Sequence, residues 1–262
     1  MKMAIITAIS SEKGGQSKSN LTENLGAGIA NKGYKVLLLE LDGQGSLSLS
    51  LDVRNPDITV KDIFTRIIND KEIPEEYGTI NLSDTLDILP ADRELAALEV
   101  SLTNVMSREL VLKDYVTAIA DRYDYIFIDC MPSLGLLTLN ALSCADRVLI
   151  PVQPAYLSIQ GLQELIRTIG RVKKHLNEKL TIEGIVFTMV DRRTVNARQV
   201  IAAVKESYGD RIPVMKTEIP YSVRAIEANQ AAKTIYEYDP NGKVAEAYRA
   251  LTEEVLLNDS RA

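Results

Sequence analysis

The sequence predicts an α/β fold, in which a doubly wound, mostly parallel sheet is flanked by helices. Apolar runs alternate with helical patterns along the 262 residues, several of the runs are continuously apolar, and hydrophobic residues make up 46% of the chain. Strands buried on both faces show such runs, and strand–helix alternation is typical of a sheet covered by helices. No linker, charge block or short-period repeat interrupts the pattern, so we expect one domain over residues 1–262.

The elements follow in chain order. Strands are predicted at the apolar runs 3–9, 35–41, 86–89, 125–129, 147–152, 182–190 and 214–219. Helices are predicted at 19–32, 60–69, 93–104, 108–121, 136–145, 159–176, 195–208, 223–230 and 242–257. Ligands of such folds bind at the carboxyl ends of the strands, so the polar residues that follow strands are where chemistry is expected.

Composition narrows the class of protein. The net charge of −6 disfavours a surface that is basic throughout, although it permits a local basic patch. Cys130 and Cys144 lie in apolar segments and are expected to be buried free thiols. The apolar run at 3–9 is too short to span a membrane and lacks the features of a signal peptide, which predicts a cytoplasmic protein. No G-x-S-x-G motif supports a serine hydrolase, and the single His175 is expected at the surface.

The stretch SSEKGGQSKSN at residues 10–20 lies between the first predicted strand and helix. Gly14 and Gly15 allow a tight turn whose N–H groups point inward, and the helix that follows adds its positive end. In a loop of this kind Lys18 would reach the β- and γ-phosphates, and the Ser19 hydroxyl would bind Mg²⁺.

Two further strands end in acidic residues. Glu40 and Asp42, in LLLELDGQG, are two residues apart and point to the same side of a strand, and the strand YIFIDC ends at Asp129. An acid in that place is a Walker-B residue, which helps to hold the Mg²⁺ shell. Each feature alone has an ordinary explanation as a turn or a helix cap. Their occurrence together at three strand ends predicts a nucleotide site.

The chain resembles the ParA/Soj partition ATPases, relatives of MinD with a deviant Walker A loop of the form KGGxGK[ST]. The resemblance runs nearly end to end. Besides the loop it includes YDYIFIDCMPSLGLLTLNAL (123–142), IPVQ (150–153), TMVDRRT (188–194), IPYSVR (219–224) and YDP (238–240).

The resemblance implies ATP and Mg²⁺ as cofactors, with ATP held between two subunits. Lys13 would reach across to the other subunit's phosphates, Lys18 would serve its own ATP, and Asp42 would position the attacking water. Glu40, where the family usually has Asp, would lie near the water shell of the metal, which Ser19 and Asp129 hold. The implied nucleotide-binding residues are Lys13, Gly14, Gly15, Gln16, Ser17, Lys18, Ser19, Asn20 and Pro220.

The loop departs from the usual KGGVGKTT. Asn20 replaces a hydroxyl donor by an amide donor, which could still contact the α-phosphate. Ser17 in place of Gly matters most, because a strained residue costs on the order of 1–3 kcal/mol, or roughly ten- to hundredfold in ATP affinity. Glu12 could bring negative charge near the phosphates. A slow Mg²⁺-dependent ATPase is expected, and a protein that binds nucleotide weakly or without turnover is the alternative.

Three arginines are candidates for DNA contact. The resemblance implies that Arg193 and Arg224 lie on a dimer face that binds DNA without sequence preference, and Arg192 is a nearby candidate. Alternatively, they pair with acids such as Asp191 and Glu227 on a solvated surface.

The function implied is the partition of plasmid, chromosomal or mobile-element DNA. An ATP-dependent homodimer would bind non-specific DNA and associate with the nucleoid, and a ParB-like centromere-binding protein would stimulate hydrolysis. A regulatory DNA-binding module without turnover is the other hypothesis. A MinD-like membrane cycle would need a basic amphipathic C-terminal anchor, and LLNDSRA at 256–262 is short and mixed, so no membrane partner is expected.

Overall fold

The computed structural model describes residues 3–15, 17–74 and 77–260, and these form eight strands and eleven helices. The strands are β1 (Ile5–Ile9), β2 (Val36–Leu41), β3 (Ile80–Ser83), β4 (Leu86–Leu89), β5 (Tyr125–Cys130), β6 (Arg147–Val152), β7 (Thr181–Val190) and β8 (Val214–Pro220). The helices are α1 (Lys18–Ala30), α2 (Ser46–Ser50), α3 (Val60–Ile68), α4 (Leu95–Leu102), α5 (Val111–Ile119), α6 (Leu136–Cys144), α7 (Tyr156–His175), α8 (Val195–Tyr208), α9 (Val223–Gln230), α10 (Ile235–Tyr238) and α11 (Lys243–Asp259).

The strands form one sheet of order β3-β4-β2-β5-β1-β6-β7-β8. Every neighbouring pair is parallel except β3 and β4, which are antiparallel. The prediction of a doubly wound, mostly parallel sheet is confirmed. Because β1, β2 and β5 are adjacent and parallel, the three segments that follow them meet at one edge of the sheet.

Helices cover both faces of the sheet, which explains the continuously apolar strands. One core cluster joins the sheet to α3 through α8 and includes Phe64 and Leu165. The other joins it to α1, α9, α10 and α11 and includes Leu25 and Tyr248. All residues of β2, β5 and β6 are buried as a result.

All predicted elements are present with ends that differ by a few residues, and three short elements were missed. Helix α2 has no side-chain cap of its own near its start; the distant Glu40 carboxylate accepts a hydrogen bond from Leu47 N instead. Strand β3 lies at the sheet edge, and its residues alternate between half-buried and exposed. Helix α10 is a single turn fixed by a capping box of Thr234 and Glu237. None of the three is long enough to show a periodic pattern.

Two composition-based expectations can be compared with the structure. Cys130 and Cys144 are buried free thiols, as predicted. Within the described ranges, no helix has the length and apolar character that crossing a membrane requires.

Candidate nucleotide-binding site

A cleft of about 390 Å³ opens at the carboxyl edge of the sheet. It brings together eight of the predicted site residues: Gly14, Gly15, Ser17, Lys18, Ser19, Asn20, Asp42 and Pro220. Gln16, also predicted, lies outside the described residues. The cleft further includes Ser46, Pro132, Thr188, Met189, Ile219, Tyr221, Ser222, Ala225, Ile226, Asn229 and Tyr248, which the sequence did not indicate.

The loop that follows β1 turns through two left-handed residues. Gly15 has a φ of 76°, and Ser17 has φ 59° and ψ 34°. A residue with a Cβ costs on the order of 1–2 kcal/mol in this conformation, so Ser17 adopts a backbone shape that favours glycine.

Helix α1 begins at Lys18 directly after this turn. No side chain of the described residues caps its N-terminus, so its first N–H groups remain available to an anion. The Lys18 side chain is only 7% exposed. Burial lowers the pKa of Lys18, and the nearby Asp129 carboxyl acts in the opposite direction. The cleft therefore presents a desolvated cation beside the helix N-terminus.

Asp129 is the second-last residue of β5 and is fully buried. Neither of its carboxylate oxygens has a hydrogen-bond partner among the described residues. Burial raises the pKa of Asp129 to about 7, Glu40 acts in the same direction, and the neighbouring Ser19 hydroxyl opposes both. A buried carboxylate without a partner is costly, and a divalent cation would satisfy it.

The residues present fit a magnesium ion. Mg²⁺ is usually held by one or two protein oxygens together with water and phosphate, and Asp129 and Ser19 can supply such oxygens. Among residues 3–15, 17–74 and 77–260 there is no cluster of three or more His, Cys, Asp or Glu residues that would form an all-protein metal cage. The donor set thus favours a cation that arrives with a phosphate ligand.

The Glu40 carboxylate accepts hydrogen bonds within the chain, whereas from the sequence it was expected near the water shell of the metal. One carboxylate oxygen accepts a hydrogen bond from Leu47 N at 2.7 Å, and the other accepts from Ala91 N at 3.2 Å and from the Ser48 hydroxyl. Burial raises the pKa of Glu40, while these hydrogen bonds oppose the rise. Glu40 therefore holds the start of α2 and the segment after β4 in place. Its contribution near a metal stays a prediction.

Asp42 lines the cleft. Its Oδ1 accepts a hydrogen bond from Gln44 N at 3.0 Å, which fixes the turn after β2. The carboxylate is half-buried and lines the cleft beside Lys18, so it is accessible to a water or a phosphate there.

Lys13 and Glu12 lie apart from this cleft. Both line a small cavity against α7, where Gly161 lies close to each side chain. The Glu12 carboxylate thus faces α7, and the expected negative charge at the phosphates is not found there. Lys13 is half-buried and does not line the cleft of its own chain.

The Asn20 amide already has hydrogen-bond partners within the chain. Its Oδ1 accepts from the Tyr248 hydroxyl at 2.7 Å, and its Nδ2 donates to Asn229 Oδ1 at 3.1 Å. Asn229 and Tyr248 come from α9 and α11, more than 200 residues along the chain. No local motif marks them, so sequence reasoning missed them.

The three arginines predicted for DNA contact each have an acidic partner. Arg192 makes two hydrogen bonds to Glu218, at 2.8 and 2.7 Å, and Arg193 makes two to Asp191, both at 2.8 Å. Arg224 Nη1 donates to Glu227 at 3.1 Å. All three side chains remain exposed, Arg193 by 88%. The pairing that the sequence left open as an alternative therefore occurs for Arg193 and Arg224.

Together, the loop with its uncapped helix, the buried lysine and the acid at the end of β5 define a P-loop NTPase fold. A family model described as an AAA domain matches residues 3–182. The sporulation initiation inhibitor protein Soj of Bacillus subtilis is 41% identical over 256 residues, which cover 98% of this chain and 100% of Soj. The chromosome partitioning protein ParA of Myxococcus xanthus is 40% identical over 255 residues, which cover 97% of this chain and 89% of that protein.

A solved structure is similar over the same length. Cobyrinic acid a,c-diamide synthase from Mycobacterium smegmatis, with a bound ATP analogue and magnesium, matches with a TM-score of 0.83 at 30% identity. The match covers 97% of this chain and 94% of that chain. The chain belongs to the ParA/Soj family of P-loop proteins, and the resemblance read from its motifs is confirmed.

Proposed function

We propose that this chain is a Mg²⁺-dependent ATPase that acts in the partition of plasmid, chromosomal or mobile-element DNA, as one domain over residues 1–262. The partition proteins Soj and ParA, at 41% and 40% identity, support the process. The Mycobacterium smegmatis structure, with its ATP analogue and magnesium, supports the ligands.

One observation carries the proposal: the Asp129 carboxylate is buried without a partner beside a buried lysine and an uncapped helix N-terminus. Without a bound cation, burial of this acid costs stability that the neighbouring Lys18 and Ser19 offset only in part. Mg²⁺ with ATP satisfies the acid through the metal and the helix N-terminus through phosphate.

The residues of the loop and of the neighbouring strand ends have different roles. The N–H groups of Gly14 and Gly15 and the Lys18 ammonium would bind phosphate, and Ser19 and Asp129 would hold the metal, which when bound would neutralise charge on the phosphates. Asp42 orients a water for attack on the phosphate. Its carboxylate has room to do so because only one of its oxygens accepts the Gln44 hydrogen bond.

Lys13 acts on the ATP of a second subunit in a homodimer. Its position outside the cleft of its own chain agrees with such a role. Dimerisation doubles the number of exposed arginines that face DNA phosphates, and the affinity for DNA rises steeply with the number of phosphates neutralised. A ParB-like centromere-binding protein then stimulates hydrolysis, and the ATP-bound dimer associates with the nucleoid.

Thermal unfolding across an ATP–Mg²⁺ titration tests the site, with Lys18→Ala as the control. A ligand at a hundred times its Kd stabilises by about 2.7 kcal/mol. For a chain of this size, each kcal/mol raises the unfolding temperature by roughly 2–4 °C. We expect a saturating rise in the unfolding temperature that the variant lacks. No rise up to millimolar ATP would refute nucleotide binding.

Phosphate release tests turnover and its regulation. We expect slow release with Mg²⁺ and ATP alone and faster release when DNA and a ParB-like protein are added. A chain that is stabilised by ATP but releases no phosphate under any of these conditions would instead be a nucleotide-dependent DNA-binding switch.

A further inference from the structure

Asn20 lies on the first turn of α1, where its side chain forms part of the cleft wall together with the loop glycines. Its amide is held at both ends. The buried Tyr248 hydroxyl donates to Oδ1 at 2.7 Å, and Nδ2 donates to Asn229 Oδ1 at 3.1 Å. The amide therefore ties α1 to both α9 and α11.

These two contacts fix which way the amide faces. A tyrosine hydroxyl that donates to the amide oxygen keeps that oxygen directed at α11, so the nitrogen is directed at Asn229 of α9, which also lines the cleft. An amide nitrogen carries two N–H groups, and Asn229 takes one of them. The second has no partner among the described residues and is available to a ligand oxygen.

We infer that Tyr248 and Asn229 are positioning residues that hold the Asn20 amide with its free N–H directed at a phosphate of the bound nucleotide. This inference rests on the proposed ATP site. Without the Tyr248 hydroxyl the amide can rotate and present its oxygen, which repels phosphate. With it, the N–H is oriented before the nucleotide arrives, and less rotational freedom is lost on binding. The two hydrogen bonds that link Tyr248, Asn20 and Asn229 also strengthen each other.

A threonine at position 20 would not need this support. Its hydroxyl can rotate to donate to a phosphate whether or not a tyrosine lies behind it. The dependence on Tyr248 and Asn229 is thus a property of the asparagine, and a double-mutant cycle can isolate it.

The test measures the Kd of ATP–Mg²⁺ by calorimetry on the full chain. Tyr248→Phe and Asn229→Ala are each made in the parent and in Asn20→Thr. We expect each substitution to weaken binding about five- to tenfold in the parent and less than twofold in the Asn20→Thr background. Tyr236→Phe is the matched control, because the Tyr236 hydroxyl faces Gly28 of α1 away from the cleft. Its removal should leave the Kd unchanged in both backgrounds.

The unfolding temperature of each ligand-free variant separates positioning from structural damage. Equal weakening of ATP binding in the two backgrounds, or no weakening in the parent, overturns the inference while the proposed function stands. A parent chain that binds no ATP–Mg²⁺ overturns both. A loss of affinity that follows the loss of unfolding temperature across all variants, Tyr236→Phe included, also overturns the inference.

Discussion

The nucleotide cleft and the arginine surface both hold charged groups, but the structure leaves them in opposite states. Beside Lys18 of the cleft, Asp129 is buried and its oxygens have no hydrogen-bond partner in the described chain. On the surface, Arg192, Arg193 and Arg224 are exposed, and each is paired with a carboxylate. The cleft is therefore incomplete without a ligand, whereas the arginine surface is satisfied without one.

The difference sets how each region responds to its ligand. An exposed ion pair adds little to stability because water screens it, so DNA phosphates can replace Asp191 or Glu227 at little cost. A buried, unpaired carboxylate costs considerably more, so its ligand stabilises the whole fold. We expect substitutions in the cleft to have larger effects than those on the surface.

The largest effect is expected for Asp129→Asn. The substitution removes the anion that would hold Mg²⁺, so the affinity for ATP–Mg²⁺ should fall at least a hundredfold, a change of about 2.7 kcal/mol. It also removes a buried unpaired charge, so the ligand-free variant should unfold at a higher temperature than the parent. Thermal unfolding with and without ATP–Mg²⁺ measures both changes.

Asp42→Asn is the control for Asp129→Asn. Asparagine keeps an acceptor for Gln44 N, so ATP binding should persist while phosphate release slows by roughly a hundredfold or more. If Asp129→Asn were stabilised by ATP–Mg²⁺ as strongly as the parent, the unpartnered carboxylate would have no part in ligand binding.

The next effect is expected for Arg224→Glu, which should lower the affinity for non-specific DNA at least tenfold in the presence of ATP. Arg167→Glu is a matched control. Arg167 is also exposed and pairs with Glu164, three residues away on its own helix. The substitution changes the net charge of the chain by the same amount as Arg224→Glu. Filter binding at several salt concentrations should show that the number of counterions released falls by about one for each arginine that no longer binds a phosphate.

The two arginine variants also test whether position or net charge matters. Both should keep the ATP-dependent rise in unfolding temperature. An equal decrease of DNA binding in Arg224→Glu and Arg167→Glu would show that total charge controls binding, and the arginine surface would then have no specific role.

Glu23 sharpens the comparison because it is a second buried carboxyl without a hydrogen-bond partner in the described chain. The charged group that acts on it is Glu237, whereas Lys18 lies beside Asp129. Burial raises the pKa of Glu23 to about 8 from an ordinary value of 4.5, Glu237 acts in the same direction, and the nearby Ser50 hydroxyl opposes both. The folded chain keeps this proton to a higher pH than the unfolded chain. The free energy of unfolding therefore falls as pH rises from 4.5 to about 8.

Glu23→Gln removes this dependence. Its stability relative to the parent should grow between pH 5 and pH 8, reaching on the order of a few kcal/mol, and then stay constant. Urea unfolding at several pH values measures the difference, and the ATP-dependent stabilisation should be unchanged. A difference that does not vary with pH would show that Glu23 does not hold a proton in the folded chain.

Sequence reasoning recovered what neighbouring residues determine. The buried strands are continuously apolar, and the loop and Asp129 lie at strand ends, so both the sheet and the core of the site could be predicted. It failed where distant packing decides. Glu40 caps α2 from another element, and Tyr248 and Asn229 reach Asn20 only because α9 and α11 pack beside α1.

The smallest effect is expected for a substitution of Ser17. It tests whether the backbone strain at this residue lowers the stability of the fold or the affinity for ATP. The sequence suggested that a serine here would weaken ATP binding. In the structure Ser17 has a φ of 59°, and we expect this backbone strain to lower the stability of the fold and not the affinity for ATP. Ser17→Gly should raise the free energy of unfolding by about 1 kcal/mol, since the relief of strain is partly offset by the freedom of glycine in the unfolded chain. The Kd of ATP–Mg²⁺ should change less than threefold.

Ser107 provides the matched control, because it is also a left-handed serine, with a φ of 53°, and does not line the cleft. Ser107→Gly should raise the unfolding temperature by a similar amount, roughly 2–4 °C per kcal/mol. If Ser17→Gly instead strengthened ATP binding tenfold while Ser107→Gly did not, the Ser17 side chain would obstruct the phosphates. The cleft would then be a less complete site than its unpaired carboxylate indicates, because part of its loop would oppose the ligand that Asp129 requires.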